Sequence, residues 1–110
     1  MTTGLAMDDA LVREIVRRIL RVCRPRRVLV LGSAAAGRMT PDSDIDLLVV
    51  EDAPGDVRQE SVRLREGLGD LGYPLDVLVM STDRFEETKD LVGGIAFPAH
   101  KYGKVVYEVA

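Results

Sequence analysis

A layered α/β or α+β domain is the fold class this chain predicts, and three features of the sequence predict it. Apolar positions at helical spacing alternate with short Val- and Leu-rich runs of strand length, and Pro or Gly marks most of the breaks between them. The chain has 110 residues, 46% of them hydrophobic and 30% charged, which suits one compact domain, residues 1–110, able to bury roughly two-thirds of its unfolded surface. No internal repeat, low-complexity tract or linker interrupts it.

Asp8 or Asp9 caps a first helix running to about Cys23, on which Val12, Ile15, Val16, Ile19 and Cys23 form an apolar stripe and Arg13, Arg17, Arg21 and Arg24 a basic one. Pro25 ends that helix, and Arg27 to Leu31 reads as a short strand. A loop from Gly32 to Pro41 leads to a second strand, Asp44 to Val50, closed by a Pro54-Gly55 turn. Val57, Ser61, Leu64, Leu68 and Leu71 then recur at helical spacing until Gly72. Pro74 to Met80 is a third strand, Ser81 or Thr82 caps another helix, Gly93-Gly94 breaks the helical pattern, and residues 104–109 form a last strand.

Composition narrows the function classes. No apolar run approaches the ~20 residues that cross a bilayer, and no leader pattern is visible, so a cytoplasmic location and no membrane partner are expected. The net charge of -3 argues against broad nucleic-acid binding, although residues 1–30 hold seven Arg against Asp8, Asp9 and Glu14. A solvated helix face explains those arginines; docking of an acidic or phosphate-rich partner is the other reading. Cys23 reads as a small buried hydrophobe and His100 as a surface or half-buried residue near a helix end, so zinc is not expected.

The chemistry concentrates in "VLVLGSAAAGRMTPDSDIDLLVV", residues 28–50, where aspartates stand between two apolar runs. Buried carboxylates are costly unless something pairs with them. Alternation along a strand puts Asp44 and Asp46 on one face and Ile45 and Leu47 on the other, and the third strand offers Asp76. If those strands are adjacent and in register, three carboxylates cluster, and a divalent cation relieves their repulsion; oxygen ligands suit Mg²⁺ or Mn²⁺. Upstream, Gly32 lets the backbone approach a ligand, Ser33 offers a hydroxyl, and the Ala run starts a short helix whose amides would face an anion. Cation and amide donors together would hold a nucleoside triphosphate. A capped strand start with solvated aspartates is the plain alternative, and it leaves Asp76 and the Gly-Ser spacing as coincidences.

Gly32-Ser33, ten residues, then "DID" at 44–46 continuing as "SDIDLLVV", resembles the signature of the DNA polymerase β-like nucleotidyltransferases. The short length and the ending "GGIAFPAHKYGKVVYE" are similar to the minimal nucleotidyltransferases of bacteria and archaea. The resemblance implies a small mixed sheet flanked by helices. It implies Asp44 and Asp46 as ligands to two Mg²⁺, Asp76 as third carboxylate, and Gly32 and Ser33 holding the β- and γ-phosphates of ATP. Many relatives carry Arg where this chain has Ala36, and Arg38 is the candidate to replace that phosphate contact. The implied reaction moves AMP from ATP to a hydroxyl, with Asp76 helping the hydroxyl lose its proton. The implied acceptor is a tyrosine of a helical HEPN ribonuclease encoded next door, for which this protein would be the antitoxin. A non-catalytic nucleotide-binding antitoxin is the alternative, favoured by Ala36. A small-molecule acceptor such as an antibiotic would call for an additional helical domain.

Overall fold

The structure, a computed structural model, describes residues 9–32 and 44–109. A four-stranded mixed sheet lies between two helical layers. Its strands are β1 (Arg27–Leu31), β2 (Ile45–Glu51), β3 (Leu75–Ser81) and β4 (Lys104–Glu108), in the order β3-β2-β1-β4. β2 and β3 run parallel, whereas β1 is antiparallel to both β2 and β4.

On one face pack α1 (Asp9–Leu20) and α2 (Val57–Leu68); on the other lie α3 (Thr82–Thr88) and α4 (Ala96–Tyr102). The sequence of β2 explains this placement. Ile45, Leu47 and Val49 point into the first layer with Ile15, Ile19, Leu64 and Leu68, while Leu48 and Val50 point into the second with Phe85, Ala96 and Ala99. A strand covered on both sides reads as a continuous apolar run, as this one does.

The helices show which local signals set their ends. α1 buries Ile15 and Ile19, one turn apart, and exposes Arg13 and Arg17; Arg21 and Arg24, expected on the same helical stripe, are exposed beyond its end. Glu14 accepts from Arg17 and Arg18, each at 2.6 Å, and these partners hold its carboxyl down at about 2. The helix stops at Leu20, short of the expected Cys23; the Cys23 amide still bonds the Ile19 carbonyl at 3.0 Å, which leaves the thiol half-buried just past the helix end. In α2 the Asp56 carboxylate accepts from the amides of Arg58 and Gln59 at 3.0 and 3.2 Å. Asp56→Ala should therefore cost about 1 kcal/mol, read from a urea midpoint. α2 ends at Leu68 rather than near Gly72, because Gly69 takes φ +62 and turns the chain out of the helix. Leu71 still packs on the core from the turn that follows. Val57, expected on the apolar stripe, is exposed, and Glu60 occupies the buried position instead.

The crossover from β2 through α2 to β3 is anchored by Ser61, whose hydroxyl donates to the Val77 carbonyl at 2.6 Å. Arg27 joins β1 to its neighbours, bonding Glu108 on β4 at 2.9 Å and lying 5.4 Å over the Phe85 ring of α3. His100 is exposed on α4 and meets Phe85 edge-on, with ring centroids 6.3 Å apart. Among the described residues no helix is long and apolar enough to cross a membrane.

Candidate active site

Strand directions bring Gly32, Asp44, Asp46 and Asp76 to one end of the sheet. β1 ends where β2, its antiparallel neighbour, begins, and β3, parallel to β2, begins at the same level. The register pairs Leu31 with Asp46 and Asp46 with Asp76, so the end of β1 and the two aspartates lie in one row across three strands. The Ile45 amide donates to the Pro74 carbonyl at 2.9 Å and clamps the two strand starts together. Alternation turns Asp46 and Asp76 toward the α3 and α4 side, the face that also receives Leu48 and Leu78.

Asp46 is half-buried; Asp76 and Asp44 are exposed at the mouth. Asp44 stands immediately before β2 rather than within it, so the strict alternation expected for Asp44 and Asp46 does not apply there. Burial raises the Asp46 pKa, and the negative charges of Asp76 and then Asp44 add to the rise. A partly desolvated carboxylate facing two others gains from any cation that binds it, and an all-oxygen donor set fits a hard divalent ion. These acidic residues could hold such a metal. The group whose donor atoms already lie within 4.8 Å of one another is a different one among the described residues, Cys23, Glu51 and Glu60, at the far end of β2.

Gly32 follows β1 directly with φ +65, a conformation that L side chains rarely adopt, and a Cβ built there would stand 3.2 Å from Asp46 Oδ2. The glycine thus keeps open the space beside the carboxylate. Gly32→Ala should lower any transferase activity severalfold and cost about 1–2 kcal/mol of stability, checked by nucleotide transfer and a thermal melt on the same preparation. Ser33, Ala36 and Arg38, together with the Ala run expected to open a short helix, lie outside the described residues.

The family model described as "Nucleotidyltransferase domain" matches residues 10–101, and the chain belongs to that family. The fold is similar to that of a crystal structure described as a nucleotidyltransferase from Sulfolobus solfataricus. That likeness has a TM-score of 0.54 and 24% identity over 74% of this chain and 73% of that one. No curated protein matches the sequence.

Proposed function

We propose that the protein transfers a nucleoside monophosphate, AMP from ATP, to a hydroxyl in a Mg²⁺-dependent reaction. The observation that supports this best is the pairing of Asp46 with Asp76 across β2 and β3, with Gly32 beside Asp46. Asp46 and Asp76, with Asp44 at the rim, are the residues that would hold Mg²⁺. When bound, two such ions stabilise the attacking and leaving oxygens of an in-line displacement. Gly32 gives the triphosphate room to approach the backbone, with Ser33 and Arg38 as its further contacts. In this reading Asp76, which is exposed, helps the incoming hydroxyl lose its proton.

The acceptor in this reading is a tyrosine of a HEPN ribonuclease encoded by a neighbouring gene, with the transferase as antitoxin. Exposure of Asp44 and Asp76 supports a protein acceptor, since a side chain from a second protein could reach them directly. Co-expression with the neighbouring gene followed by intact-mass measurement tests it. AMP-sized increments on the partner, lost with Asp46→Asn, are the expected result. A stable complex with an unmodified partner would select the non-catalytic antitoxin, and no complex would remove the HEPN partner.

Ala36 favours that second reading, because no guanidinium is available at its position to grip phosphate. Restoring one with Ala36→Arg should tighten binding of a non-hydrolysable ATP analogue by about 1–3 kcal/mol in titration calorimetry. No gain would mean that Arg38 already supplies the contact or that triphosphate is not the ligand.

A further inference from the structure

The far end of β2 combines groups that the core around it does not explain. Glu51 closes the strand only 8% exposed, on the α1 and α2 side, and Glu60 in the first turn of α2 is 5% exposed. Cys23 comes in half-buried from the end of α1. Ligand atoms of all three lie within 4.8 Å of one another. Glu51 Oε2 is buried and has no hydrogen-bond partner among the described residues. Arg63 gives partial compensation: it donates to Glu60 Oε1 at 2.5 Å and also to the Val22 carbonyl at 3.2 Å, so its guanidinium is divided between two acceptors.

We propose that Cys23, Glu51 and Glu60 form a binding site for a thiophilic divalent cation of the zinc class. One sulfur and two carboxylate oxygens suit Zn²⁺, which accepts mixed sulfur and oxygen ligands, whereas Mg²⁺ and Ca²⁺ take oxygen alone. A tetrahedral Zn²⁺ with bonds of about 2.1–2.3 Å would hold its donors roughly 3.5 Å apart, within the 4.8 Å that spans them now, and water would complete the fourth place. On binding, the Cys23 thiol proton passes to solvent and the thiolate becomes the ligand; nothing is oxidised or reduced. Asp46 lies five residues back along the strand, about 17 Å away at 3.3 Å per residue, and on the opposite face. The ion would therefore tie the end of α1, the end of β2 and the start of α2 together without entering the transfer site.

The chain has a single cysteine, which makes the test specific. The full-length protein, stripped with a chelator, is titrated with Co²⁺ as a spectroscopic substitute for Zn²⁺. The expected result is a near-ultraviolet sulfur-to-cobalt charge-transfer band that saturates at one ion per chain, is displaced by Zn²⁺ and is accompanied by a rise of several degrees in melting temperature. Cys23→Ala should abolish the band, Glu51→Gln should weaken binding about tenfold or more, and Asp46→Asn should leave both unchanged. Absence of the band at saturating Co²⁺ would overturn the proposal, and so would a Glu51→Gln protein that binds as tightly as the parent. Circular dichroism of the metal-free variants separates lost binding from lost fold; should Cys23→Ala not fold, the Glu51→Gln comparison decides.

Discussion

Replacing Asp46 by asparagine is expected to lower Mg²⁺-dependent nucleotide transfer by about a thousandfold, the scale seen when one preorganised charge-stabilising group is removed. The side chain keeps its size, so packing is unaffected and the change is one of charge. Asp46 is the most desolvated of the three aspartates and faces both of the others, so its charge is the one a bound cation would most strongly offset. For the same reason the variant should melt at the same temperature as the parent or slightly above it in the absence of metal, because a repulsive contact with Asp76 has gone. Asp76→Asn should behave alike. The double variant should lose little beyond either single one, since groups that act as a unit do not contribute additively. Labelled-nucleotide transfer alongside thermal melts measures both quantities. Undiminished transfer by both single variants would remove the assignment, and a much lower melting temperature would make the aspartates structural.

The second large effect concerns Glu51 and the pH dependence of stability. Burial, followed by the Glu60 carboxyl next to it, pushes the Glu51 pKa up to about 7 from an ordinary 4.5; the Cys23 thiol and the Arg63 charge pull the other way. The folded protein thus binds this proton more tightly than the unfolded chain does. Its contribution to stability is fully present below about pH 4.5 and is lost as pH rises through about 7. In chelator-treated protein the parent should therefore lose on the order of 1–3 kcal/mol between about pH 5 and about pH 8, and Glu51→Gln, which cannot ionise, should lose much less. Glu14, Asp52 and Glu86 are shifted downward by their basic partners, so their contributions fade only in more acidic solution and leave this window clear. Urea midpoints across the range measure the slope. A parent slope equal to that of Glu51→Gln would mean that Glu51 is hydrated and titrates normally.

Local chemistry explains how much of this was legible in the sequence. β1 stands out because Pro25 and Gly32 flank a Val/Leu run, and α3 because Ser81 supplies a cap that bonds the Arg84 amide at 3.1 Å. The end of α2 is misread from periodicity, since Leu71 continues the apolar spacing while Gly69, three residues before Gly72, has already left the helix. Asp76 can be nominated from its apolar neighbours, but its place opposite Asp46 depends on a parallel pairing set by the crossover, which no local pattern encodes. The cluster at Glu51 was missed because a Glu at a strand end and another in the first turn of a helix both look solvated. The signal that could have found it is the i, i+4, i+8 ladder of Glu60, Leu64 and Leu68, which puts the charge in line with two core positions. Cys23, whose thiol is pushed up to about 12 by burial and by the nearby Glu51 and Glu60, belongs to that same neighbourhood.

The parallel pairing of β2 with β3 also places the two aspartates in time. β1 and β2 follow one another along the chain, but β2 and β3 meet only after the intervening helix has closed the crossover, which is a less local and therefore slower event. Like charges at Asp46 and Asp76 oppose each other only once that register exists. If the folding transition state precedes it, relieving the repulsion stabilises the native protein more than the barrier. Asp46→Asn should then leave the refolding rate nearly unchanged and slow unfolding, a split that stopped-flow chevrons resolve. The aspartate pair would then assemble after the folding barrier and come apart before the unfolding one.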